Sequence, residues 1–309
     1  MKKKIVVAVD GSAPSNQAVR YAADIGKKIG DLDFVLLHVL PQISQILMDE
    51  ARTDMSVRRE IDRIVVKNRK AADSIVEDQK SRMIDHGIDG SRITSSVIEH
   101  REGIAKDILE FAQSGRYDAI VIGRRGVSRL KTVFMGSVTA NLLENSKFLP
   151  VWVVDGSVSF GSVLVAVDGS ESALRAVSHL AFILGGDTDV RITLFHATPR
   201  FTAACPIDTG EVDSALEAIG ERGNQHCIDR FQHKAMETFQ SAGIPEDRVS
   251  LKIAKRVLSP GRAIIEQAEA GSHDTVVIGR RGLSRSFFTG SVSRHVMDRA
   301  AHCALWVVS

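Results

Sequence analysis

The hexapeptide Val7-Ala8-Val9-Asp10-Gly11-Ser12 returns unchanged at residues 165–170 of this 309-residue chain. A longer repeat pairs IVIGRRGVSRL at 120–130 with VVIGRRGLSRS at 276–286. Between them, His38 is flanked by Leu37 and Val39 as His196 is by Phe195 and Ala197, and beyond them Trp152 finds its counterpart in Trp306. The matches keep their order while the separation between partners shrinks slightly along the chain, which marks a duplication trimmed by small deletions. A repeat of this period means two copies of one fold, in keeping with domains of about 100–200 residues. The join is expected in the Gly/Ser-rich stretch from Asp155 to Gly161, giving domains over 1–156 and 161–309.

Within one copy, apolar runs of strand length alternate with segments of helical period. Residues 4–10 read as a buried strand ending at Asp10, followed by a turn in which Ser12 or Ser15 caps a helix. Ala18, Ala22, Ile25 and Ile29 share one face of that helix until Gly30 stops it. A strand over 33–40 is closed by Pro41, and the polar stretch to about Ser56 reads as loop or irregular helix. A long helix is expected over 57–86, with Ile61, Ile64, Val65, Ala72, Ile75 and Val76 as its apolar stripe. Further strands are expected over 92–99, 119–122 and 150–154, with helices over 104–114 and beyond Ser137. Such alternation predicts an α/β fold, two repeated doubly wound domains, each a five-stranded, mostly parallel sheet with helices on both faces. Ligands of such sheets collect outside the carboxyl ends of the strands, at the switch point. Asp10, His38-Val39 and Gly123 all stand at such ends.

The stretch VIGRRGVSRLKTVFMGS at 121–137 combines a strand, a glycine-hinged basic loop and a helix start. Glycine lets a backbone approach a ligand closely, and a helix start offers unpaired N–H groups and partial positive charge to an anion. Ser137 adds a hydroxyl, and Arg124, Arg125, Arg129 and Lys131 are expected to add mobile positive charge. The pattern is that of a phosphate-binding loop. It is neither the P-loop, since no Gly-Lys-Ser/Thr follows, nor the G-x-G-x-x-G dinucleotide fingerprint.

The spacing G-x2-G-x9-G-S after a hydrophobic strand resembles the ATP-binding signature of the universal stress protein family. Its recurrence makes the whole chain look like a tandem member, with an adenine nucleotide alpha hydrolase-like fold implied for each half. In that family the aspartate ending the first strand and the end of the second strand help hold adenine and ribose, while the glycine loop holds phosphates. The resemblance implies ATP, with or without magnesium, as the ligand. In the first half it implies contacts from Ala8, Asp10, Val39, Ile122, Gly123, Gly126, Gly136, Ser137, Val138 and Thr139. In the second half the matching positions are Asp168, Ala197, Ile278, Gly279, Gly282, Gly290, Ser291, Val292 and Ser293. Family members commonly pair through the last strand, so pairing of the two halves within one chain, and a homodimer beyond that, are further expectations.

The second loop departs from the first: seven residues, LSRSFFT, separate Gly282 from Gly290 where nine separate Gly126 from Gly136. Two missing residues remove about 6–7 Å of extended reach. The second loop is therefore expected to cradle phosphates less well, or to fill its own cleft with Phe287 or Phe288. Valine at Gly123 or Gly136 is expected to exclude a nucleotide sterically while sparing the fold.

Each feature also has a plainer reading. Asp10 and Asp168 suit the capping of the following helix, a role compatible with ligand contact. His38 and His196 read as structural histidines at strand ends, and Trp152 and Trp306 as packing residues. His86, His100, His295 and His302 match nothing across the halves and read as surface positions. A net charge of +2 argues against a nucleic-acid binder relying on bulk charge. Three cysteines, Cys205, Cys227 and Cys303, form no C-x-x-C pair, which suits a reducing cytoplasm and gives no metal-site spacing. The sequence has no run of 18 apolar residues, so no membrane span is expected.

Around the loops lie arginine, lysine and serine, but no carboxylate or histidine falls within 121–137, so no general base stands near the phosphates. The leading reading is a non-catalytic, ATP-binding regulatory module. The alternatives are slow ATP hydrolysis involving magnesium and Asp10, and a scaffold in which one or both sites are lost.

Overall fold

The computed structural model describes residues 2–126, 135–185, 189–199, 214–280 and 290–309, with the side chains of 214–221 and 224 left aside. The chain divides into two units, Met1–Ser157 and Val158–Ser309. In the first unit the order is β1 (Lys3–Ala8), α1 (Ala13–Lys28), β2 (Leu32–Val39), α2 (Gln45–Glu50), α3 (Met55–Asp85), β3 (Ile93–Ile98), α4 (Ile104–Ser114), β4 (Ala119–Gly123), α5 (Ser137–Asn145) and β5 (Val151–Val154). The second unit runs β6 (Ser162–Val167), α6 (Glu171–Leu184), β7 (Arg191–Pro199), α7 (Ser214–Ser241), β8 (Val249–Val257), α8 (Pro260–Ala270), β9 (Thr275–Gly279), α9 (Ser291–Arg299) and β10 (Ala304–Val308).

Within the first unit β1 pairs with β2 and β4, β2 with β3, and β4 with β5, every pair parallel. The second unit repeats this: β6 pairs with β7 and β9, β7 with β8, and β9 with β10. Strand order therefore reverses beside β1 and beside β6, which is where a doubly wound sheet opens a crevice at its carboxyl edge. The central strands are covered on both faces, so their sequences are continuous apolar runs, and Ile5, Val6 and Val7 are fully buried.

Local chemistry fixes the helix starts. Ser12 is the N-cap of α1, its hydroxyl accepting the Ser15 N–H at 3.3 Å, and Pro14 sits in the first turn where its missing N–H costs nothing. Ser170 caps α6 in the same way, accepting from the Ala173 N–H at 3.2 Å. At the other end of α1, the Arg92 guanidinium donates to the carbonyls of Gly26, Ile29 and Leu32 at 3.1, 2.8 and 2.7 Å. A cation there satisfies orphan carbonyls at the negative end of the helix.

The polar stretch after β2, expected as loop or irregular helix, contains a short helix, α2. One local expectation needs correction. The expected stripe of α3 is only partly buried: Ile61, Ala72 and Val76 face the core, whereas Ile64 and Val65 are 38% and 42% exposed. At 31 residues α3 is about 46 Å long, well beyond the eight-residue β2 it covers, which spans about 26 Å. It therefore extends beyond the strand, and four of its five buried residues, Ala72, Val76, Gln79 and Met83, lie in its C-terminal half. The tryptophans are packing residues: both are fully buried, and Trp306 stacks on Phe160 with ring centroids 5.8 Å apart. Among the described residues no helix is long and apolar enough to cross a membrane.

Candidate functional site

The site is built from strand ends. Ala8 ends β1 and Asp10 follows two residues later; Val39 ends β2; Ile122 and Gly123 end β4; Gly136, Ser137, Val138 and Thr139 open α5. Asp10 first serves its own turn. One carboxylate oxygen accepts the Ser12 N–H at 3.0 Å, and the Asp10 N–H donates to the Ser15 hydroxyl at 3.2 Å. Its other oxygen faces the glycine loop: a Cβ on Gly126 would stand 3.0 Å from it. The carboxylate and Gly126, at the start of the glycine loop, are thus neighbours.

The loop is closed at its base. The Gly136 N–H donates to the Arg124 carbonyl at 2.9 Å, and Gly136 is the N-cap of α5 with no side-chain hydrogen bond capping the helix. Gly136 has no side chain, so α5 lacks the hydroxyl cap that Ser12 gives α1. Ser137 is exposed and Val138 half-buried at that mouth, whereas Thr139 is buried and its hydroxyl donates to the Gly123 carbonyl at 2.9 Å. Thr139 ties the helix to the strand end and offers the cleft no hydroxyl proton.

The second unit repeats these bonds. The Asp168 carboxylate accepts the Ser170 N–H at 3.0 Å, the Gly290 N–H donates to the Arg280 carbonyl at 3.3 Å, and the Ser293 hydroxyl donates to the Gly279 carbonyl at 2.8 Å. Gly290 likewise caps α9 without a side-chain bond. Here the carboxyl edge opens into a cleft of about 400 Å³, walled by Phe195, Pro199 and Ile264 and floored by Asp168, Gly279 and Ser291. Ala197, Ile278, Val292 and Ser293 also line it. Gly282, Arg281, Phe287 and Phe288 lie outside the described residues, as do Arg129, Lys131 and Cys205.

The histidines are structural, as expected. Nδ1–H of His38 donates to the Val9 carbonyl and that of His196 to the Val167 carbonyl, each at 2.8 Å, pinning the second strand to the turn that carries the aspartate. His100 is half-buried, with its Nδ1 enclosed, and Asp107 ties down the residues that follow it by accepting the Arg101 and Glu102 N–H groups.

Two expectations about the loop fail on packing. Arg124 is not mobile charge: it is 4% exposed and stands 4.0 Å from Asp155, whereas Arg125 stays exposed and pairs with Asp155 at 3.0 Å. Nor would valine at Gly123 spare the fold. A Cβ there would stand 2.6 Å from the Pro14 carbonyl oxygen, because the first turn of α1 crosses directly over the end of β4. Gly279 is pressed in the same way by the Ser172 backbone, at 2.7 Å. At Gly136 the Cβ would meet the Arg125 backbone at 3.3 Å. Gly123 and Gly279 are required by close backbone packing before any ligand is considered, whereas Gly136 is only tightly packed.

Sequence reasoning missed Ser170, Ala173, Pro199, Pro260 and Ile264 as lining. Ser170 and Ala173 were within its reach, since they follow the same strand end as Asp168. Pro260 and Ile264 required knowing that β8 sits beside β7 and delivers α8 to this edge.

The sequence family described as the universal stress protein family matches residues 1–155 and again 159–309. A universal stress protein of Mycolicibacterium smegmatis is 27% identical over 312 residues, covering 97% of this chain and 94% of its own. One from Synechocystis is 30% identical over 155 residues, 49% of this chain and 99% of its own length. Among solved structures, a universal stress protein from Archaeoglobus fulgidus superposes with a TM-score of 0.63 at 21% identity, over 99% of this chain and 98% of that one.

Proposed function

Because the chain belongs to the universal stress protein family, with one family module in each half, we propose that it is an ATP-binding regulatory protein of the stress response. Each half carries one nucleotide site. The triphosphate lies at the open mouth of α5 or α9, where first-turn amides and the helix dipole favour an anion. Base and ribose lie across the cleft, with Asp10 or Asp168 on the ribose hydroxyls. That orientation keeps the carboxylate away from the phosphates, which it would repel.

The observation that carries this reading is the cleft of about 400 Å³ in the second unit. It lies within the range of about 300–1,000 Å³ usual for small-molecule sites, with apolar walls and few polar groups. Its floor joins a carboxylate to a helix start that no side chain caps. Magnesium would arrive with the nucleotide: among the described residues no group of three His, Cys, Asp or Glu side chains could hold a metal ion.

Isothermal titration of the full chain with ATP tests the reading, with phosphate release followed in parallel. Saturable binding that Asp10→Ala and Asp168→Ala together remove is the expected result. Absence of binding in the wild-type chain would overturn it, and turnover lost in Asp10→Ala would make the protein an ATP hydrolase instead.

A further inference from the structure

The N-terminal part of α3 carries a surface that the fold of its own unit does not use. Along one flank Arg58, Asp62, the Val65-Val66 pair, Arg69 and Asp73 succeed one another at intervals of three or four residues, so they form one stripe. All six residues are exposed, Val65 by 42% and Val66 by 53%. Met55 begins the same stripe and is 62% exposed. The stripe lies beside the buried row of Ile61, Ala72, Val76 and Met83, not opposite it.

The charges on this stripe are arranged with a particular symmetry. Arg58 and Asp73 are equally distant from the midpoint between Val65 and Val66, and so are Asp62 and Arg69. A second α3 laid antiparallel across a twofold axis at that midpoint sets Arg58 against Asp73, Asp62 against Arg69, and Val65 against Val66, each twice. A parallel arrangement would set every charge against its own kind. A patch complementary to its own reverse is what an isologous twofold contact requires. Opposite charges flanking an apolar centre also fix direction and register between helices.

We propose that α3 is a self-association face, on which a second copy of this chain packs antiparallel about Val65 and Val66. Arg69 already pairs with Asp73 of its own helix at 3.3 Å, but both side chains are about half exposed, 51% and 55%, so each can take a further partner from the copy. The stripe from Arg58 to Asp73 spans about 24 Å. A contact of that length is small, so a reversible dimer is expected rather than an obligate one.

Sedimentation velocity of the full chain across the micromolar range tests this. The wild type is expected to show a reversible monomer–dimer equilibrium that weakens with added salt, since exposed charge pairs are screened. D62R alone and R69D alone each place like charges together and are expected to weaken the dimer by about tenfold or more. The double variant D62R/R69D restores opposite pairing and is expected to recover most of that loss. Val66→Glu, at the axis, is expected to leave only monomer. All three positions are exposed, and unchanged circular dichroism melts confirm that folding is intact. A wild type that stays monomeric would overturn the proposal. So would a dimer indifferent to D62R and Val66→Glu, which would place the contact elsewhere. A double variant no stronger than either single one would refute the antiparallel register.

Discussion

The two units build the same floor from the same bonds, yet their loops differ in length. In each, a histidine Nδ1–H reaches the carbonyl before the aspartate at 2.8 Å. In each, the aspartate accepts an N–H two residues on, at 3.0 Å. A hydroxyl two residues into the last helix of each site reaches the glycine carbonyl at 2.9 and 2.8 Å. The N-capping glycine closes each loop onto the arginine carbonyl, at 2.9 Å in the first unit and 3.3 Å in the second. The two-residue deletion in the second loop therefore leaves the helix mouth where it was. Loop length and helix placement are separate properties, because the same bond at the loop's base is made in both units. The differences lie around the floor. Ile75 stands over Gly11 where Cys227 stands over Gly169, and Tyr21 occupies the place in α1 that His179 occupies in α6.

The sharpest way to break the comparison is at the crossing of helix and strand. Gly123→Val and Gly279→Val each force a side chain into backbone, and each is expected to cost about 3 kcal/mol in chemical denaturation. A loss confined to one of them would show that the two crossings are not equivalent.

The next difference is one of pH. Burial pushes the His179 imidazole from the usual 6.5 down to about 3. Below pH 6.5 the unfolded chain then takes up a proton that the folded chain refuses. The stability is fully present above that value and is lost as pH falls toward about 3. The expected slope is up to about 1.4 kcal/mol per pH unit. His179→Phe should flatten the melting temperature between pH 7 and pH 5, and a wild-type profile already flat would contradict the assignment.

Smaller effects test the floor itself. Thr139→Val and Ser293→Ala each leave a strand-end carbonyl without its donor, and each is expected to cost about 1 kcal/mol by thermal melting. Similar values would sharpen the equivalence, and a negligible value in one would break it. Least of all, Arg125→Gln removes an ion pair whose arginine is 43% exposed. It is expected to change stability by less than about 0.5 kcal/mol.

Most of the fold was legible because its signals are local. Strand-length apolar runs, the Ser12 cap and the repeat placed the elements and showed that Asp10, Val39 and Gly123 share an edge. Three things were not legible, each because it depends on neighbours distant in sequence. The reason for Gly123 lies in the Pro14 carbonyl, and that for Gly279 in the Ser172 backbone. The charge of Arg124 is taken up by Asp155, beyond the last strand of its unit. Ile64 and Val65 fit a helical stripe, but periodicity does not tell where the sheet beneath a helix ends.

Equilibrium dialysis of the full chain against labelled ATP tests the central claim most directly, by counting sites. Two nucleotides per chain are expected, falling to one in Asp10→Ala, to one in Asp168→Ala, and to none when the two are combined. Two nucleotides still bound by the doubly substituted chain would place the ligand elsewhere and contradict the account.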